Sequence, residues 1–309
     1  MSIKFLEDIR GELQKWKPNK IDANFECELK HGWLIQYLLP VESMCWGRWN
    51  YWCEMEMKRD LLDEPIPQIK FSSNAIARKH LENSLDVISE YGGWQGWDSW
   101  RNMDYFLDWL LYRLGFAGQT ELPKEPSKGS SMRLYQYFNI ATLIAYPYDY
   151  LGEILAENRH GRSLGFFPTP HEIVEVMVLM TMTGEDCRAK TVCDCCVGSG
   201  RMLLNASNYS LRLYGADINE TMVKVTLVNG YLYAPWLVKP MTFLKDDYQR
   251  PEKSAEVAQA IAQSAPRPDV QEYLANTEHD TEHQWKFEPI KKLRKKSGDR
   301  AEILQGTLF

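Results

Sequence analysis

The chain has 309 residues, 44% of them apolar and 25% charged, with a formal net charge of −6. This composition excludes global disorder, collagen and coiled coil, and suits one large or two ordinary soluble domains. The acidic sum excludes a globally basic nucleic-acid coat and leaves room only for a regional basic patch.

The opening MSIKFLEDIRGELQKWK carries charges where a secretory signal has its apolar stretch. No apolar run approaches the roughly 18 to 20 residues of a membrane span, so a cytoplasmic protein without membrane association is expected. Apolar residues recur at helical spacing over 75–91, 102–116 and 132–146, which predicts an N-terminal helical domain over 1–150. Pro65, Pro67, Gly92, Gly93 and the stretch 121–131 mark its loops.

From 158 to 250 short apolar runs (TVCDCCV, LRLYGADI, KPMTFLKDD) alternate with helical segments (HEIVEVMVLMTM, NETMVKVTLVNGYLY). That alternation predicts an α/β domain over 151–250, with parallel strands near 191–195, 212–217 and 240–244. Residues 251–309 read as a helix candidate, KSAEVAQAIAQSA, followed by a flexible basic tail that contains KKLRKK at 291–296.

The sharpest motif is Asp194-Cys195-Cys196-Val197-Gly198-Ser199-Gly200, after a β-type run and before the apolar helix RMLLNASNYS. Glycines there permit a tight turn and bring backbone N–H groups close to a ligand at a helix start. A dinucleotide fingerprint needs a third glycine where Leu203 stands, and a phosphate-binding loop needs Gly-Lys-Ser/Thr, which is absent. An acid before the glycines and a second acid, Asp217, at the next strand end suit S-adenosylmethionine, with Asp217 at ribose-binding distance along the chain.

Gly165-Phe166-Phe167-Pro168-Thr169-Pro170 precedes this turn and DINETMVKVTLVNGYLYA follows Asp217. In that order the motifs over 148–248 resemble the N6-adenine DNA methyltransferase family, in particular modification subunits of type I restriction systems and their phage and plasmid relatives. The resemblance implies a Rossmann-like fold, S-adenosylmethionine as cofactor and adenine in DNA as substrate. It places Thr169 near the cofactor carboxylate, Asp194, Gly198, Ser199 and Gly200 around the methionine part, and Asp217 on the ribose, with Asp246 as an adenine contact. Pro168 and Cys195 depart from the family pattern, which often has an aromatic residue and proline there.

The family methylates adenine through a D/N/S-P-P-Y/F/W loop that grips the exocyclic amine and stacks on a flipped base. No Pro-Pro pair occurs in the 309 residues, so no catalytic residue is assigned. The readable sheet is partial, and the edge of its first strand needs cover from the N-terminal helices, the tail or another chain. Three readings follow: a cofactor-binding family member with an incomplete catalytic site, a non-catalytic interaction protein, and one half of a split enzyme completed by a second subunit.

Gln305, Leu308 and Phe309 in the closing QGTLF resemble the peptide by which bacterial proteins bind the replicative sliding clamp. Trp94, Trp97, Trp100 and Trp109 read as core-packing residues. The crowded Cys193, Cys195 and Cys196 predict reduced thiols, buried as small apolar residues rather than gathered on a metal. His160 and His171 read as surface or helix-start residues.

Overall fold

Helices that each hide one apolar stripe must meet over a common core. Here the stripes converge on one cluster that runs from Leu38, Met55 and Phe106 to Leu203, Val225 and Trp236. The computed structural model describes residues 30–89, 99–157, 166–184 and 186–244, without the side chains of 99 and 100. Gly92, Gly93, Trp94, Trp97, the Trp100 side chain, His160, Gly165, Asp246, the helix candidate after 251, the basic run and the clamp-like Gln305, Leu308 and Phe309 lie outside the described residues.

In chain order the elements are α1 (Ile35–Cys45), α2 (Arg48–Lys58), α3 (Ala75–Asp86), α4 (Ser99–Arg113), α5 (Ser130–Tyr137), α6 (Ile140–Ala145) and α7 (Tyr150–Glu157). They continue with α8 (His171–Thr181), β1 (Thr191–Asp194), α9 (Arg201–Ala206), β2 (Arg212–Gly215), α10 (Glu220–Tyr233) and α11 (Pro235–Val238). The predicted helix over 132–146 is broken into α5 and α6. Asn139 leaves the helical conformation, its amide donates to His80 Nε2 at 3.0 Å, and its side chain caps α6 by accepting from the Ala141 N–H.

The start of α2 follows a left-handed Gly47, and the Glu42 carboxylate accepts from the Arg48 and Trp49 N–H groups at 2.7 and 3.1 Å. Arg48 then reaches across the core: Nε donates to the Pro67 carbonyl, and Nη1 to Ser207 Oγ and the Tyr233 carbonyl. Helix α10 is buried on nearly all sides, as a helix without a polar face requires. It packs on α4, and Lys224 joins Asp108 at 2.7 Å.

The two strands are parallel, with Thr191 opposite Arg212 and Asp194 opposite Gly215, and α9 makes the crossover. The architecture is thus mixed α and β with a small parallel sheet. The segment 240–244 forms no strand: its Thr242 amide and hydroxyl bond the Glu56 carboxylate on α2, and Trp52 Nε1 bonds the Lys239 carbonyl. Those ties hold it against a helix rather than at a sheet edge.

Cys193, Cys195 and Cys196 are exposed, against the expectation of burial. Alternation along a strand separates two faces, but only a packed neighbour buries one, and among the described residues no strand lies beyond β1. Helix α8 shows the same lack of cover. Val174 and Val178 are buried, whereas Ile173, Val176, Met177, Leu179 and Met180 are exposed. No helix among the described residues is long and apolar enough to cross a membrane.

Candidate functional site

The carboxyl ends of β1 and β2 open onto a cleft of about 370 Å³. Where a parallel strand turns into a helix, the chain needs a short loop of unusual backbone conformation. Gly198 (φ 55°) and Gly200 (φ 88°) supply it. A Cβ at 198 would stand 2.9 Å from Phe166 Cε2, and one at 200 would stand 3.1 Å from the Thr226 side chain. Both glycines are therefore fixed by conformation and by internal packing. Thr226 Oγ1 also donates to the Gly198 carbonyl at 2.9 Å, so α10 clamps the turn from behind.

The two strand-end acids organise the loops. Asp194 Oδ1 accepts from the Cys196 N–H at 3.1 Å. Asp217 Oδ2 accepts from the Gly198 N–H and Oδ1 from the Asn219 N–H, each at 2.9 Å, which joins the β2 end to the glycine turn. Thr169, Asp194, Gly198, Ser199 and Asp217 all line the one cleft, and Gly200 lies behind it against Thr226. The Ser199 hydroxyl turns inward to Asp149, so that residue faces the cleft with its backbone.

Exposed Phe167 and Ile218 stand at the mouth, on opposite loops. Cys195 and Cys196 also line it, and the Cys195 thiol beside Cys196 raises the proton affinity of the latter. Outside this cleft, His171 begins α8, as the helix-start reading expected, but it is buried rather than at the surface, with its ring 4.2 Å from that of Tyr148, and it lines a separate hollow beside Gln68 and Asn208. Burial, with help from the cation of Arg201, lowers its pKa to about 4, so it is neutral at ordinary pH.

Sequence reasoning passed over Asp149 and Arg201. Asp149 is wholly buried beneath the turn, and Arg201 Nε donates to its Oδ2 at 2.7 Å. Burial pushes the Asp149 carboxyl upward, while Arg201 draws it back. One signal was present: Arg201 stands at the first position of a helix, where the dipole disfavours a cation, so a buried partner was to be sought.

Comparison with known proteins gives one match. The family model for N-6 DNA methylase covers residues 142–304, wider than the 148–248 span in which motifs are legible. No curated protein and no solved structure matches the chain. The strand–turn–helix with its paired acids lies within the matched segment, which is more than half of the sequence, and the chain belongs to the N-6 DNA methylase family.

Proposed function

We propose that the cleft binds S-adenosylmethionine and that residues 151–250 form the cofactor half of a Rossmann-like methyltransferase. Asp217 carries this reading. Each of its carboxylate oxygens takes one backbone N–H, which leaves lone pairs on both for two vicinal ribose hydroxyls. Thr169 would meet the cofactor carboxylate, and Asp194, Gly198, Ser199 and Gly200 would surround the methionine part, Ser199 through its backbone. Asp246 would contact the adenine.

The residues present suit such a group. The volume falls within the range of small-molecule sites, Asp194, Asp217 and Asn219 bring polar groups to a largely apolar lining, and Phe167 and Ile218 offer apolar surface for a flat base. When bound, the cofactor supplies an electrophilic methyl group. The chain's own residues orient it: Asp217 fixes the ribose, and the glycine turn fixes the methionine part.

The substrate proposed from family membership is the exocyclic amine of adenine in DNA. Accepting that amine takes a polar-Pro-Pro-aromatic loop, and no Pro-Pro pair is present. We therefore propose that transfer depends on a second subunit that supplies strand and loop. Among the described residues no strand pairs with the outer edge of β1, and that edge, with exposed Ile173, Met177 and Met180 on α8, favours this over a purely non-catalytic interaction protein.

Calorimetric titration with S-adenosylmethionine tests the cofactor reading. Saturable binding is expected. Asp217→Ala should weaken it by about tenfold to a hundredfold, the loss of one or two hydrogen bonds to a charged group. Equal affinity in the variant sinks the assignment of Asp217.

A further inference from the structure

A wholly buried carboxylate is costly unless every lone pair is used. Asp149 meets that demand with four donors. Oδ1 accepts from the Gly152 N–H and from Asn229 Nδ2, each at 2.9 Å. Oδ2 accepts from Ser199 Oγ and from Arg201 Nε. The packing is tight enough that a Cβ on Gly152 would stand 2.1 Å from Asp149 Oδ2.

Two of these donors belong to the wall that faces β1: Ser199 in the glycine turn and Arg201 just after it. Arg201 also crosses to the other wall, where Nη1 donates to the Thr169 carbonyl at 3.1 Å. The Arg201 guanidinium therefore links the Asp149 carboxylate, buried beneath the turn, to the Phe-Phe-Pro-Thr-Pro lip. Asp217 is held separately, by the Gly198 and Asn219 amides, and makes no bond to this pair.

Stability alone does not explain the arrangement. A buried ion pair is commonly no better than apolar side chains of the same volume. The guanidinium sits at a helix start against the dipole, and its Nη2 is buried without a hydrogen-bond partner among the described residues. A planar fork that reaches Asp149 and Thr169 at once is what arginine offers and a packed aliphatic residue does not.

We infer that Asp149 and Arg201 are positioning residues that set the distance between Thr169 and the glycine turn, and thereby the affinity for the amino-acid end of the cofactor rather than its nucleoside end. This rests on the cofactor reading above.

The test compares binding of S-adenosylmethionine with that of 5′-methylthioadenosine, which keeps the nucleoside and lacks the amino-acid end. Arg201→Met alone would strand a buried charge and risks unfolding. The double change Asp149→Asn with Arg201→Met avoids this. The carboxamide oxygen still accepts from Gly152 and Asn229, its NH2 donates to Ser199 Oγ in place of the bond that hydroxyl gave, and both ties made by Arg201, to residue 149 and to the Thr169 carbonyl, are lost.

The double variant should melt within a few degrees of the unaltered chain. Its Kd for S-adenosylmethionine should rise about three- to tenfold, the loss of one positioned hydrogen bond, and its Kd for 5′-methylthioadenosine by less than about twofold. Arg201→Lys keeps a cation on Asp149 without the fork and should show the same selectivity. Unchanged binding of S-adenosylmethionine in either folded variant, or equal weakening of both ligands, overturns the inference alone. No binding by the unaltered chain overturns the cofactor reading and this inference with it.

Discussion

Arg48 joins the helices before the sheet to those after it, and its replacement tests whether the core is one body. The side chain has no solvent exposure. Nε lies 2.7 Å from the Pro67 carbonyl, Nη1 lies 2.7 Å from Ser207 Oγ and 2.8 Å from the Tyr233 carbonyl, and Nη2 bonds Asn208 Oδ1. Burial lowers its pKa to about 9, so it remains charged at neutral pH with Glu42 as the nearby counter-charge. Arg48→Met fills much of the volume and leaves four acceptors and a buried carboxylate short of a partner. The expected loss is about 3–5 kcal/mol, a large part of the roughly 5–15 kcal/mol that holds a domain together. At about 2–4 °C per kcal/mol for a domain of this size, Tm should fall by roughly 6–20 °C in a calorimetric or circular-dichroism melt. Adding Glu42→Gln should recover part of the loss by removing the stranded charge. A fall below about 2 °C would refute the view that this contact ties the core.

Gly198→Ala places a side chain at φ 55° and 2.9 Å from Phe166 Cε2; it should cost about 1–3 kcal/mol, read from urea unfolding, and Phe166→Leu should relieve part of it. If Gly198→Ala is neutral, the turn is not held as described. His171 has its folded pKa depressed from 6.5 to about 4, so the unfolded chain takes up the proton first as pH falls. The stability it contributes is complete above pH 6.5 and is lost as pH falls from there to 4, by about 2 kcal/mol after allowance for screening. His171→Phe, which keeps a ring on Tyr148, should flatten that part of the melting-temperature profile, and parallel profiles for the two proteins would count against it.

The glycine turn was legible because its demands are local. Positive φ at 198 and 200 selects glycine, and the acids before and after it close loops only two residues long, from Asp194 to Cys196 and from Asp217 to Asn219. The first two strands and the helices α3, α4, α8 and α10 were legible through periodicity. What local pattern did not carry was partnership across the chain. Asp149 meets Ser199 fifty positions away, and Arg48 meets Asn208 at a separation of 160, with no spacing rule to connect them. The run MTFL has β-type residues, yet Glu56 captures its polar groups first. The three cysteines showed the same limit, since alternation names two faces of β1 without saying whether anything covers either.

These long-range ties make a prediction about the boundary expected near residue 150. Trp49 Nε1 donates to the Tyr231 carbonyl at 3.1 Å, Trp52 Nε1 to the Lys239 carbonyl at 2.6 Å, and Tyr233 Oη to the Leu143 carbonyl at 3.0 Å. Trp236 packs against Arg48 and Tyr51 and is 0% exposed. A fragment that begins at residue 151 would bare the rings of Tyr231, Tyr233 and Trp236 and remove Asp149 from beneath Ser199. Each large ring returned to water forfeits roughly 1.5–3 kcal/mol, so losing cover from even three of them approaches the whole stability of a domain. Expressed alone, residues 151–244 should therefore lack a cooperative melt and near-ultraviolet dichroism and should bind a hydrophobic dye. A fragment that melts cooperatively would show that the helices before 150 are a separate attachment. The opposite result makes them part of the core that supports the glycine turn.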